Sequence, residues 1–157
     1  MLEDAGIKTL ILHSDHLFDY TDLNVALFPI DIQLVSETGP VQPFQTIQPI
    51  NAQDAAYLMY TSGTTGQPKG IVVNQQNIVK LSQETNDMAI LPEDRVMQWA
   101  NFAFDGSTYE IYNTLLNGAT LLLIQSKDAA QPSQLAKIIA EQKLSVCIFT
   151  TSLYTDI

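Results

Sequence analysis

A chain of 157 residues with 46% hydrophobic content is long enough to bury one core, and it fits one domain or part of one. Its 17 acids against 7 Lys and Arg leave a formal net charge of −10, which argues against a nucleic-acid partner because phosphate backbones are bound through clustered cations. No apolar run approaches a membrane span and no charged start leads into an apolar stretch, so no membrane partner and a cytoplasmic setting are expected.

In chain order, β-like runs are predicted at Thr9-Leu10-Ile11-Leu12, Asp31-Ile32-Gln33-Leu34-Val35, Ala56-Tyr57-Leu58-Met59-Tyr60, Ile71-Val72-Val73, Val96-Met97-Gln98-Trp99, Leu121-Leu122-Leu123-Ile124 and Val146-Cys147-Ile148-Phe149. Helical spacing separates the later ones. Ile78, Leu81 and Met88 share a face, as do Tyr112, Leu115 and Leu116, and then Leu135, Ile138 and Ile139; each stripe is read as core. The alternation predicts an α/β fold, a mostly parallel sheet with flanking helices. Ligands of such sheets bind at the carboxyl ends of strands, where the loop after Tyr60 and the turn after Phe104 both fall. The proline-bearing stretch from Ser36 to Asn51 reads as a connection. His13 and His16 lie in an acidic loop without a third ligand at metal-site spacing, so they read as solvated surface and no metal site is assigned. Asp87, Glu93 and Asp94 around Pro92 read as a solvent-facing turn. The single cysteine, Cys147, has no disulfide partner and reads as a small buried hydrophobe.

Two segments carry chemistry. The first is Tyr60-Thr61-Ser62-Gly63-Thr64-Thr65-Gly66-Gln67-Pro68-Lys69-Gly70, set between two strands. Gly63 and Gly66 let the backbone turn its N–H groups toward an anion, the hydroxyls of Thr61, Ser62, Thr64 and Thr65 donate to phosphate oxygens, and Lys69 supplies positive charge. It is not a Walker A loop, which has four residues between its glycines where two separate Gly63 from Gly66, and whose Gly-Lys-Ser/Thr opens a helix. A flexible surface turn is the plainer alternative. The second segment is Phe104-Asp105-Gly106-Ser107-Thr108-Tyr109-Glu110. Ser107 and Glu110 have the spacing of a capping box, which makes Glu110 structural. That places Asp105 just outside the helix start, with its carboxylate free to bind a cation. An aspartate merely favourable near a helix N-terminus is the alternative.

The stretch from Tyr57 to Gly70 resembles the phosphate-loop signature of the adenylate-forming, AMP-binding superfamily. Phe102-Ala103-Phe104-Asp105-Gly106-Ser107-Thr108-Tyr109-Glu110-Ile111-Tyr112, followed by Leu115-Leu116-Asn117-Gly118-Ala119, resembles the Phe-Asp-x-Ser segment of nonribosomal peptide synthetase adenylation domains. The resemblance runs from Met1-Leu2-Glu3-Asp4-Ala5-Gly6, which reads as a helix end and strand entry, to Ile148, and is strongest from Ala55. It implies a partial N-terminal domain over residues 1–157, lacking that domain's start and the C-terminal lid. It also implies ATP with Mg2+ as cofactors and Lys69 as the catalytic cation of the phosphate loop. Asp105 is implied as the partner of a substrate α-ammonium group, with Gly106, Tyr109 and Ile148 at further pocket positions. Gln75 departs from the pattern, since many relatives carry histidine there.

Two functions of different class follow. In the first the chain is part of an enzyme that activates an amino acid as an aminoacyl adenylate, releases pyrophosphate, and passes the acyl group to the phosphopantetheine thiol of a carrier protein; the isolated chain is then expected to be inactive. The second is a catalytically inactive remnant or nucleotide-binding piece. Within enzymes the alternative is an acyl-CoA ligase, which has no use for Asp105.

Overall fold

The computed structural model describes residues 1–32, 49–63, 66–83, 88–124 and 131–149. Two compact units form, Met1–Ile50 with Ser62–Gly70, and Asn51–Thr61 with Ile71–Ile157.

In the first unit, Met1–Gly6 closes a helical turn. Ile7 N–H donates to Leu2 C=O and Gly6 N–H to Glu3 C=O, both at 3.0 Å, with Gly6 at φ 61°. This pair of bonds is a Schellman ending, whose positive φ glycine adopts without strain. Strand β1 (Thr9–Leu12) pairs in parallel with β2 (Ala26–Pro29), from Thr9 opposite Ala26 to Leu12 opposite Pro29. A 3-10 helix, Ser14–Tyr20, forms the crossover. The strand predicted from Asp31 does not form at its start, because residues 30–32 are helical; 33–35 lie outside the described residues, as does most of the predicted connection. Asp31 instead accepts the Ser14 backbone N–H at 2.8 Å and its hydroxyl at 2.6 Å, tying the end of β1 to the residues after β2. His13 contacts Asp15 and Asp31, and His16 contacts Asp19. No group of three metal-capable side chains forms among the described residues.

The second unit contains β3 (Ala55–Thr61) paired with β4 (Lys69–Asn74), whose first two residues fall in the first unit. Helix α1 (Gln75–Gln83) follows, opened by Asn74 and Asn77, whose side-chain oxygens each accept the other's backbone N–H at 3.1 and 3.2 Å. That reciprocal pair has the logic of a capping box. β5 (Arg95–Gln98) pairs in parallel with β6 (Thr120–Leu123). On its other side β5 forms a parallel bridge from Val96 to Val146, the one point at which the predicted last strand pairs among the described residues.

Successive β5 residues serve opposite faces, as a pleated strand requires. Val96 packs with Ile90 and Ala119, against which Tyr109, Leu121 and Val146 also lie. Met97 packs with Leu135 of α4 (Pro132–Gln142), with Trp99, Ile124, Ile139, Leu144, Cys147 and Phe149 around them. Burial raises the Cys147 thiol's pKa, which keeps it protonated in a packing role. The helical run 105–116 supplies Tyr109 to the first cluster. It comprises α2 (Asp105–Thr108), a π-helical stretch (Tyr109–Asn113) and α3 (Thr114–Leu116). It ends on Gly118 at φ 74° in a second Schellman arrangement.

Three sequence expectations change here. Ile78 and Leu135 are buried as expected, but Met88, Tyr112, Leu115 and Leu116 are exposed, so the middle apolar stripe is not core within this chain. Asp94 is more than a turn residue. Its carboxylate accepts the Leu91 backbone N–H at 2.8 Å and the Ser145 hydroxyl at 2.7 Å, and the backbone bond is the larger reason its pKa falls below the usual range. The capping box at Ser107 is absent as well. Phe104 is the N-cap, Asp105 is the first helical residue, and the Ser107 hydroxyl donates to Phe104 C=O at 2.7 Å.

Candidate active site

The phosphate-loop residues of the first unit owe their shape to two glycines. Gly66 N–H donates to Gly63 C=O at 2.9 Å, and Gly66 has φ 81°, a value that strains any residue with a side chain. At Gly63 a β-carbon would run into the Gln67 carbonyl oxygen and lie 3.2 Å from Lys69 Cγ. The backbone therefore folds tightly over itself, with the Lys69 stem against the turn. Ser62 and Lys69 are exposed, as is Thr61 at the end of β3 in the second unit. Lys69 has no carboxylate partner among the described residues. Thr64 and Thr65 lie outside the described residues.

The second unit holds an open cleft of about 330 Å³ lined by Tyr57, Leu81, Asp105, Gly106, Thr108 and Tyr109. Three of the four residues expected to contact substrate, Asp105, Gly106 and Tyr109, thus border one space. Asp105 sits in the first turn of the helical run that follows parallel strand β5, where the helix dipole favours its negative charge. Tyr109 lends its ring to the core below while its hydroxyl donates to Met88 C=O at 3.0 Å, and burial raises its pKa. Ile148 is half-buried and does not line the cleft; by the alternation of an extended chain it shares the face of Val146.

The sequence marks Tyr57 as a strand residue at the start of the stretch from Tyr57 to Gly70 and Leu81 as a core residue, and gives neither a place in the cleft. The Thr108 hydroxyl donates to the Tyr57 hydroxyl at 3.1 Å across 51 residues of sequence, a juxtaposition without a local signal. Among the described residues that line the cleft, Asp105 is the one charged side chain, beside two tyrosines and a leucine. Such a cleft suits a ligand with one cationic group and an apolar body.

Glu110 is 1% exposed. Its carboxylate accepts the backbone N–H of Trp99 at 3.0 Å and of Ala100 at 3.0 and 3.2 Å, with Gln98 Nε2 at 3.5 Å. Desolvation is the largest influence on its pKa and raises it, against the lowering effect of those bonds.

A family profile described as AMP-binding enzyme matches residues 1–157. Bacitracin synthase 1 of Bacillus licheniformis is 32% identical over 158 residues, which cover 100% of this chain and 3% of the synthase. The nonribosomal peptide synthetase FmoA3, solved with α-methyl-L-serine-AMP bound, aligns with a TM-score of 0.72 at 27% identity, covering 91% of this chain and 16% of that one. An artificially fused adenylation–PCP di-domain, NpsA-ThdA of Klebsiella oxytoca, has the same fold, with a TM-score of 0.83 at 24% identity over 98% of this chain and 30% of that one. The chain thus spans a small part of the proteins it matches. The stretch from Tyr57 to Gly70, the Phe-Asp-x-Ser helix start and a family match along the whole length agree: the chain belongs to the AMP-binding enzymes, with its relatives among the adenylation domains of peptide synthetases.

Proposed function

We propose that the chain is part of a larger adenylation domain that activates an α-amino acid with ATP. The substrate carboxylate attacks the α-phosphorus, the bond to pyrophosphate breaks, and an aminoacyl adenylate forms. The observation that carries this reading is the cleft in which Asp105, the one charged lining residue among those described, stands beside Gly106 and Tyr109. Asp105 takes the α-ammonium group, and the apolar walls take the side chain. Thr61, Ser62, Thr64, Thr65 and Lys69, turned by Gly63 and Gly66, donate to phosphate oxygens as charge builds on them, with Lys69 the catalytic cation. The curled loop, which leaves no room for a β-carbon at Gly63, supports a close approach of backbone to phosphate.

Mg2+ is proposed as the counter-ion of the nucleotide. The described residues gather no group of three metal-capable side chains for it. A phosphopantetheinyl carrier protein is the proposed acceptor, in keeping with the fused carrier domain of the NpsA-ThdA structure.

The test is pyrophosphate exchange into ATP by the full-length protein carrying this chain. Exchange stimulated by one or a few α-amino acids is expected. Stimulation by fatty or aryl acids alone would move the assignment to an acyl-CoA ligase, and no stimulated exchange at all would make the chain a remnant.

A further inference from the structure

The cleft wall at Asp105 and Gly106 is held from behind by a residue that never reaches the cleft. Trp99 and the five residues after it, between the end of β5 and α2, form no regular ladder, so their backbone N–H groups need partners from elsewhere. Asn101 accepts those of Ala103 and Phe104, and Glu110 accepts the two nearest the strand. Its carboxylate, one turn along the helical run from Asp105, reaches back to the N–H groups of Trp99 and Ala100. Ala100 in turn meets the cleft wall, since a β-carbon built on Gly106 would lie 3.4 Å from the Ala100 methyl. Gln98 closes the arrangement, with Nε2 donating to Ala100 C=O at 2.7 Å and lying 3.5 Å from the same carboxylate. Glu110 thus holds Ala100, Ala100 fills the space beside Gly106 that a side chain there would enter, and Gly106 adjoins Asp105. Glu110 lies in the π-helical stretch Tyr109–Asn113, a local widening often found at functional sites.

From this geometry we infer that Glu110 is a positioning residue for substrate binding, one that sets where the Asp105 carboxylate and the Gly106 backbone stand in the cleft. The inference rests on the amino-acid-activating reading above. An ordinary helix-capping glutamate would stabilise its own helix terminus and leave the strand exit alone; Glu110 instead joins the two segments that frame the cleft.

The experiment uses the full-length protein with Glu110→Ala, Glu110→Gln, Asp105→Ala and the Glu110→Ala/Asp105→Ala pair, reading separate KM values for amino acid and ATP in pyrophosphate exchange. Glu110→Ala is expected to raise the amino-acid KM by about tenfold or more, the size of losing a charge-assisted hydrogen bond, with the ATP KM within about twofold. Glu110→Gln keeps an acceptor oxygen and should recover most of that loss. In the Asp105→Ala background the further effect of Glu110→Ala on amino-acid KM should largely vanish, because the group being positioned is gone. Equal effects on both KM values, or full additivity with Asp105→Ala, would overturn the inference. Should Glu110→Ala fail to fold, Glu110→Asp, whose shorter side chain displaces the same bonds, takes its place alone and paired with Asp105→Ala, and the same outcomes decide. Hydrogen exchange at the Trp99 and Ala100 amides provides a readout independent of activity. Faster exchange confined to that segment is expected in Glu110→Ala, and unchanged protection there would overturn the positioning role even if no amino acid stimulates the wild-type protein.

Discussion

Single residues decide whether each half of the proposed site can exist. A methyl group at Gly63 meets the Gln67 carbonyl, so Gly63→Ala forces a backbone shift costing about 1–3 kcal/mol, and ATP affinity of the full-length protein should fall by roughly ten- to a hundredfold. Lys69→Ala should weaken the ATP reaction whatever the acid substrate, which kinetics with two different substrates would check. Glu110 has a pH signature. Its folded pKa is raised, so between the ordinary carboxyl value and that higher value the folded state binds more protons than the unfolded chain, and stability falls as pH rises. Chemical denaturation as pH is raised from the ordinary carboxyl range should show this component in the wild type and its loss in Glu110→Gln. Asp94, whose pKa is lowered, acts in the opposite sense: its contribution is present above the ordinary aspartate value and is lost as pH falls through the folded one.

At the scale of elements, three helical segments end in the same bonding pattern with different residues. Gly6 and Gly118 hold the left-handed position in two of them, but at the end of α4 it falls to Lys143, with φ 52°. Leu144 N–H still reaches Ile139 C=O at 3.0 Å, so the motif forms at the expense of a strained lysine. Lys143→Gly should therefore stabilise the protein by about 1 kcal/mol, measured by chemical denaturation, and leave substrate kinetics unchanged. The strands β1, β3, β4, β5 and β6 are legible as short, largely apolar runs. β2 was not, because Ala26-Leu27-Phe28-Pro29 is short and ends in proline, and only pairing with β1 makes it a strand. The capping box shows the limit of spacing arguments. Ser107 and Glu110 have the right separation, but Asn74 and Asn77 make the reciprocal bonds while Glu110 is drawn to the strand exit. Asp105, Gly106 and Tyr109 could be named from one contiguous motif. Tyr57 could not, because it meets the cleft through a side-chain contact with Thr108, 51 residues away, with no periodicity to announce it.

At the scale of the whole molecule, apolar surface is left uncovered on the regular elements. Leu115 and Leu116 are each 57% exposed and Leu123 is 72% exposed, with Ile71, Val72 and Phe104 also turned outward. Patches of this kind mark contact surfaces, and in the proposed larger domain further chain covers them. The 157-residue chain expressed alone should accordingly self-associate, with sedimentation velocity showing oligomers that grow with concentration. A compact monomer with a cooperative, high-temperature melt would show the chain to be self-sufficient.

The central claim, that Asp105 holds the ammonium group of an amino acid while this chain's phosphate loop holds ATP, is tested most directly by pyrophosphate exchange in the full-length protein with and without Asp105→Ala. The preferred amino acid and its des-amino analogue are compared in both. Losing a charge-assisted hydrogen bond should lower kcat/KM for the amino acid by roughly ten- to a hundredfold. The des-amino acid should be poor with the wild type and lose little more in the variant, with the thermal melt preserved. Equal losses for both acids, or an unfolded variant, would contradict the account and leave Asp105 a structural residue.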